Sequence, residues 1–129
     1  MTNNDLLVLK NKEVLVTGGC GFIGSEIVKQ LSMIGANVTI IDNLSSGKEK
    51  YVEGLSNVKL ITGDLLDDHT IESVVKDKEY VINNAALPFI PDSYYIPKKF
   101  FDVNVNATIS MALSVIKEKK VKRFVHISS

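Results

Sequence analysis

The segment that most constrains this chain is an apolar run followed by three glycines spaced three residues apart. Residues 14–17 read Val-Leu-Val-Thr, which is typical of a short buried strand, and Gly18, Gly21 and Gly24 follow. The first glycine permits a tight turn, the second lets a ligand approach the backbone, and the third lets a helix pack against the strand. The first amides of that helix have no partner within it, so the segment predicts an anion site at a strand–turn–helix junction.

Strand-like runs alternate with helical stripes along the whole chain. Because the connections are short and the second predicted strand is continuously apolar, the pattern predicts an α/β fold of the Rossmann type. We expect a doubly wound parallel sheet of strand order 3-2-1-4-5 with helices on both faces. Residues 1–12 are predicted to be a leader, and 13–129 the domain. The predicted strands are 14–17, 38–42, 58–61, 80–83 and 124–127. Helices are predicted at 22–34 and 97–119, and a further helix is predicted to begin after an N-cap at Asp67. A short helix is predicted at 48–55.

The helical stripes give specific packing expectations. Gly35 is predicted to end the first helix, and Pro97 to begin the long one. The residues expected to face the core are Ile23, Ile27, Leu31 and Ile34 in the first helix, Ile71, Val74 and Val75 in the next, and Phe101, Val105, Ala112 and Val115 in the last.

Composition excludes several classes of partner. Fifteen lysine and arginine residues balance fifteen aspartate and glutamate residues, so no basic footprint for nucleic acid is expected. The single cysteine cannot form an internal disulfide, which fits a reducing compartment, and a cytoplasmic location is predicted. The apolar run at 6–9 is too short for a signal peptide or a membrane span, so no membrane partner is expected.

Asp42 ends the second predicted strand. It follows the glycine turn by about 20 residues, which is the spacing that a ribose ligand requires. Its carboxylate can accept hydrogen bonds from the ribose diol of a dinucleotide. A 2′-phosphate at the same place would meet a like charge, and the chain's one arginine, Arg123, lies far away in the sequence. The sequence therefore favours NAD over NADP.

Residues 17–25, Thr-Gly-Gly-Cys-Gly-Phe-Ile-Gly-Ser, resemble the signature of the extended short-chain dehydrogenase/reductases, which include the NAD-dependent epimerases and dehydratases. The chain is most similar to the N-terminal part of the UDP-sugar 4-epimerases. Two positions depart from the family pattern, Asn83 where a histidine is usual and Ala107 where a glycine is usual. The similar segments continue at 42–47, 63–65, 83–88, 91–97, 104–108 and 121–129.

The resemblance implies a role for these segments. Residues 42–47 would wrap the adenosine of NAD, 63–65 would meet the adenine, and 84–87 would approach the nicotinamide. The substrate of the full-length form would be a UDP-sugar, and the assembly a homo-oligomer. The cofactor-binding residues implied are Gly18, Gly21, Phe22, Ile23, Gly24, Asp42, Asn43, Leu44, Ser45, Ser46, Gly47, Asp64, Leu65, Asn84, Ala85, Ala86, Leu87 and Val103.

The catalytic pair of this family, Tyr-x-x-x-Lys on one helix, has no counterpart in the sequence. Tyr94 and Lys98 have the spacing, but Pro97 separates them. The family's catalytic serine or threonine is expected about one residue past Ser129. No catalytic residue is therefore assigned, and the chain alone is expected to be inactive. The alternatives are a nucleotide-sugar dehydratase or reductase, and a non-catalytic dinucleotide-binding module.

Three other polar positions have structural explanations. Cys20 is interpreted as a small residue that fits the turn, and His126 as a packed or surface histidine. The run Asp67-Asp68-His69 is interpreted as a capped helix start, and no metal site is predicted.

Overall fold

The computed structural model describes residues 3–128 and builds them on a parallel sheet. The strands of the described residues are β1 (Glu13–Thr17), β2 (Asn37–Asp42), β3 (Val58–Thr62), β4 (Tyr80–Asn83) and β5 (Arg123–His126). They form one five-stranded sheet of order β3-β2-β1-β4-β5 in which every neighbouring pair is parallel. The predicted fold class and strand order are therefore confirmed.

Helices cover both faces of this sheet. One predicted helix, 48–55, is reduced to a single 3-10 turn at Glu49–Tyr51. Only Val52 is buried there and Gly54 has a φ of +75°, so a longer helix would have almost no apolar face to bury. The helices are α1 (Asn3–Leu6), α2 (Phe22–Met33), α3 (Asp68–Val75), α4 (Ile90–Ser93), α5 (Pro97–Phe101) and α6 (Ala107–Lys117), with a π turn (Asp102–Asn106) between α5 and α6.

The core has two layers because successive side chains of β1 point to opposite faces. Val14 and Val16 pack on the α2 side, whereas Leu15 packs on the α3 and α6 side. The first layer is completed by Cys20, Val28, Leu31, Ala36, Val38, Ile40 and Val52, and the second by Ile41, Ile71, Val74, Val75, Val81 and Met111. Within residues 3–128, no helix is long and apolar enough to cross a bilayer.

Helix α2 packs largely as its stripe predicted. Leu31 is buried, Ile27 and Ile34 are partly buried, and Gly35 ends the helix with a φ of +80°. The expectation for Ile23 was wrong, because its side chain is 56% exposed. Ile23 lies in the first turn of α2, which stands above the carboxyl edge of the sheet and faces a cleft.

The long helical segment shows a second difference. Ala112 and Val115 are half-buried, but Phe101 is 58% and Val105 38% exposed, so the prediction that these two are core residues was wrong. The π turn inserts an extra residue, which rotates the earlier turns away from the buried face of α6. The residues that this face buries are Ala107, Met111 and Ser114.

The predicted leader contributes to the core through Leu9, which packs against the α2 layer. The predictions for residues 1 and 2, and for Ser129, fall outside the described residues.

Candidate functional site

The carboxyl ends of β1, β2 and β4 open into a cleft of about 720 Å³. It lies at the point where the strand order reverses, between β1 and β4, which is the usual ligand position in open α/β folds. Sixteen of the eighteen residues predicted to bind the cofactor line it; Gly24 and Leu44 do not. Lining residues outside that predicted set are Ile41, Gly63, Leu66, Pro88, Ile90, Ser93, Lys99, Phe100, Ala107, Ile127 and Ser128.

The glycine turn after β1 forms the floor of this cleft. Gly18 has a φ of +65°, a conformation that residues with a Cβ rarely adopt. A Cβ on Gly24 would lie 2.1 Å from the carbonyl oxygen of Gly18, so α2 can approach the turn only with glycine there. Gly24 therefore acts from beneath the cleft and positions the start of the helix.

Helix α2 begins with amides directed at the cleft. Its N-cap residue, Gly21, has no side chain that could accept a hydrogen bond from them. Phe22, 94% exposed, and Ile23 flank this helix start. The helix dipole and free amides together make a site for an anion, and the residues present fit the pyrophosphate of a dinucleotide.

Asp42 is the last residue of β2 and lines the same cleft. Its Oδ2 accepts a hydrogen bond from the Cys20 amide at 2.9 Å, and its Oδ1 one from the Leu44 amide at 2.8 Å. These bonds fix the carboxylate, while each oxygen keeps capacity to accept another hydrogen bond from a ribose diol. Arg123 is the first residue of β5 and lies opposite Tyr80 of β4 in the strand register. It is therefore at the other end and the other edge of the sheet from Asp42, and offers no positive charge here.

A polar cluster joins β1 to the segment after β4. The Thr17 hydroxyl donates to Asn83 Oδ1 at 2.7 Å and accepts from the amides of Asn84 and Ala85 at 3.0 and 2.9 Å. Asn83 Nδ2 also donates to Thr108 Oγ1 at 3.3 Å. The sequence signal was a threonine and an asparagine that end otherwise apolar strands, and it was not read as a contact.

His126 joins the same cluster rather than standing without a partner. Its Nδ1 lies 3.2 Å from Asn83 Nδ2. That amide nitrogen is a donor, so a hydrogen bond at this distance is one in which Nδ1 accepts. His126 is exposed and does not line the cleft, so it stabilises the cluster from the side.

Asn104 fixes the wall formed by the segment after β4. Its Oδ1 accepts from the Leu87 amide at 2.8 Å, and its Nδ2 donates to the Leu87 carbonyl at 3.1 Å. Asn104 lies within the π turn, next to Val103, which lines the cleft. The irregular segment 84–89 therefore has a defined path although it belongs to no helix or strand.

The remaining polar candidates have the structural roles expected of them. Burial raises the pKa of the Cys20 thiol to about 11, and the nearby charges of Asp42 and Glu49 add to this effect. Cys20 is therefore a poor nucleophile at neutral pH and acts as a small packing residue. Asp64 Oδ1 accepts from the Leu66 amide at 2.9 Å, which makes a turn, yet Asp64 also lines the cleft.

Asp67 caps α3, as predicted, by accepting hydrogen bonds from the His69 amide at 3.2 Å and the Thr70 hydroxyl at 2.6 Å. The Thr70 hydroxyl, with a smaller contribution from the His69 amide, lowers the pKa of the Asp67 carboxyl. Among residues 3–128, no cluster of histidine, cysteine and acidic side chains could hold a metal ion.

Tyr94 and Lys98 do not form a catalytic pair. Tyr94 ends α4 and is 82% exposed, whereas Lys98 lies in α5 and pairs with Asp102 at 3.3 Å. Neither residue lines the cleft.

Comparison with known proteins identifies the family. Residues 14–129 match the NAD dependent epimerase/dehydratase family. A UDP-glucose 4-epimerase of Lactobacillus helveticus is 34% identical over 119 residues, which cover 91% of this chain and 35% of the relative.

Solved structures show the same relation. An epimerase of Methanothermobacter thermautotrophicus superposes with a TM-score of 0.93 at 35% identity, covering 98% of this chain and 38% of that one. A Bordetella bronchiseptica enzyme in complex with NAD+ has a TM-score of 0.85 at 29% identity, covering 92% of this chain and 36% of that one. The chain thus spans about a third of the length of the relatives it matches. It belongs to the NAD dependent epimerase/dehydratase family, whose cofactor is NAD.

Proposed function

We propose that this chain is the NAD-binding part of a sugar-nucleotide epimerase similar to the UDP-glucose 4-epimerases. One observation carries the proposal: the uncapped start of α2 and the fixed carboxylate of Asp42 face the same cleft. A positive helix end and a carboxylate side by side match a pyrophosphate followed by a ribose diol. The buried free thiol of Cys20 supports a reducing, cytoplasmic location.

In this proposal each wall of the cleft holds one part of NAD. The amides of Phe22 and Ile23 bind the pyrophosphate and Asp42 binds the adenine ribose. Loops 43–47 and 64–65 enclose the adenosine, and 84–87 with Val103 line the nicotinamide end. The turn glycines Gly18 and Gly24 act by allowing these walls to come together.

When bound, NAD would supply the redox chemistry of epimerisation by taking up hydride and returning it to the sugar. The described residues would orient it: the polar cluster at Thr17 and Asn83 and the clamp at Asn104 fix the wall along the nicotinamide end. A base near working pH must also remove a sugar hydroxyl proton. Asp42 and Asp64 follow β2 and β3, which places them at the adenosine end, so we assign the base to residues outside this chain.

The substrate we propose for the full-length form is a UDP-sugar, as the name of the Lactobacillus helveticus relative suggests. We also propose self-association through the apolar stripe, defined as the exposed apolar side chains along α5, the π turn and α6. Its members are Phe101 (58% exposed), Val105 (38%), Ile109 (52%), Leu113 (55%) and Ile116 (78%).

The proposal is tested by incubating the purified chain with NAD and UDP-glucose and analysing both. We expect NAD to bind, by calorimetry, and no UDP-galactose to form. A loss of base catalysis costs about 10²–10⁴-fold, and the loss of substrate orientation adds to that. The absence of NAD binding would contradict the proposal, epimer formation free of host enzyme would show a base within the chain, and a keto-sugar product would favour a dehydratase.

A further inference from the structure

The charged side chains that line the cleft differ in how they are partnered. Of the described lining residues, three carry a charge: Asp42, Asp64 and Lys99. Asp42 accepts from two backbone amides and Asp64 from one. Lys99, in contrast, forms neither an ion pair nor a side-chain hydrogen bond with any of residues 3–128. Its positive charge is therefore available to a ligand in the cleft.

The position of Lys99 on its helix explains why it faces the cleft. Lys99, Val103 and Ala107 follow at intervals of four residues, and all three line the cleft. Lys98, one residue earlier, lies about 100° around the helix and pairs with Asp102 at 3.3 Å. The two lysines are adjacent and carry the same charge, but only Lys99 lines the cleft. Lys98 therefore serves as a matched control.

Lys99 lies on the side of the cleft away from the proposed adenosine site. Asp42 and Asp64 follow β2 and β3, whereas Lys99 belongs to the α5 wall that follows β4. Lys99 is exposed to solvent, and Phe100 and Val103, which line the cleft on the same helical segment, are apolar. Because Lys99 is exposed, its ammonium group can pair with an anion in the cleft but is screened by solvent, so a modest contribution to binding is expected.

We propose that Lys99 binds an oxyanion of the sugar nucleotide and contributes to substrate specificity. This inference rests on the proposed function, since it places the substrate at the nicotinamide end. Two groups of such a substrate share the required chemistry, the diphosphate and a carboxylate on the sugar. Both are anions of a size that one ammonium group can pair with.

The test compares Lys99→Gln with Lys98→Gln, which remove the same charge from adjacent positions. UDP, UDP-glucose and UDP-glucuronate are titrated into each protein by calorimetry, with and without saturating NAD. We expect Lys99→Gln to weaken binding by about fivefold, the upper range for an exposed ion pair, and Lys98→Gln to leave it within about twofold. The difference should shrink at high salt.

The pattern of the loss identifies the anion. A loss for all three ligands assigns Lys99 to the diphosphate, and a loss for UDP-glucuronate alone assigns it to the sugar carboxylate; both support the proposal. Equal effects of the two variants, an unchanged Lys99→Gln, or no affinity of the parent chain for any of the three would overturn it. A separate NAD titration of the parent tests the proposed function, and Lys99→Gln should bind NAD like the parent.

Discussion

The two halves of the sheet differ in how completely they are covered. In the half formed by β1, β2 and β3, every residue of β2 after Asn37 is buried, and α2 closes one face. In the half formed by β4 and β5, three of the four β5 residues are exposed, and the apolar stripe faces solvent. Strands β1 and β2 of the first half therefore have the packing of a finished core, and only its edge strand β3 is partly exposed, whereas the second half presents apolar surface suited to further contacts.

The largest expected effect is on the covered half. Gly24→Val should destabilise the fold by about 3 kcal/mol or more, because its Cβ would lie 2.1 Å from a backbone oxygen, which cannot move aside as a side chain would. Chemical unfolding measures the change. Gly54→Ala is the control: nothing lies within 4 Å of its Cβ, so only its φ of +75° opposes the change, at about 1 kcal/mol. Similar losses for the two variants would mean that the turn is not tightly packed.

The next prediction concerns the second half. We expect the chain to self-associate through the apolar stripe, and Leu113→Glu to shift sedimentation toward the monomer by placing a charge within that surface. Met33→Glu is the control, since Met33 is 78% exposed on α2, outside the stripe. A parent chain that sediments as a monomer at high concentration would contradict this prediction, as would equal effects of both variants.

The same comparison explains what could be predicted from the sequence. Strand β2 is continuously apolar, and the glycine spacing admits few geometries, so the sheet order and most of the lining residues followed from local patterns. Periodicity also predicted that the last helix has apolar residues, but it does not say which of them face the core. Phe101 and Val105 were therefore assigned to the core, although the π turn carries them to the surface.

Long-range side-chain contacts were the other part that the sequence did not predict. Thr17 and Asn83 meet across neighbouring strands, and Asn104 meets Leu87 across a loop. Each of these contacts depends on register and on a helix position known only after folding. The sequence did not predict Lys99 as a lining residue for the same reason. Which face of α5 meets the cleft depends on how the π turn rotates α5 relative to α6.

The smallest expected effect lies at the amino edge of the sheet, where Glu79 links three strands. Its carboxylate accepts from Lys122 Nζ at 2.9 Å and from the Glu13 amide at 3.1 Å, and Lys12 lies at 3.5 Å. These contacts, the Lys122 hydrogen bond first, lower the pKa of Glu79 from 4.5 to about 2. Because the folded-state pKa is depressed, the stabilisation is present above about pH 4.5 and is lost as the pH falls toward 2.

Melting temperatures between pH 2 and pH 7 test this prediction. Glu79→Gln should be less stable than the parent near neutral pH and should converge with it near pH 2. Glu53→Gln, a change at an exposed position, should follow the parent throughout. Parallel curves for Glu79→Gln and the parent across the whole range would contradict the linkage.

We expect Asp42 and the start of α2 to bind NAD in preference to NADP, and calorimetry with both dinucleotides on the unmodified chain measures the difference. This measurement needs no substitution of Asp42. A substitution there would also remove the hydrogen bonds that its carboxylate accepts from the Cys20 and Leu44 amides. The 2′-phosphate of NADP would approach the fixed carboxylate with no arginine near it, so we expect NAD to bind at least about tenfold more tightly. Equal affinity for the two dinucleotides would contradict this expectation.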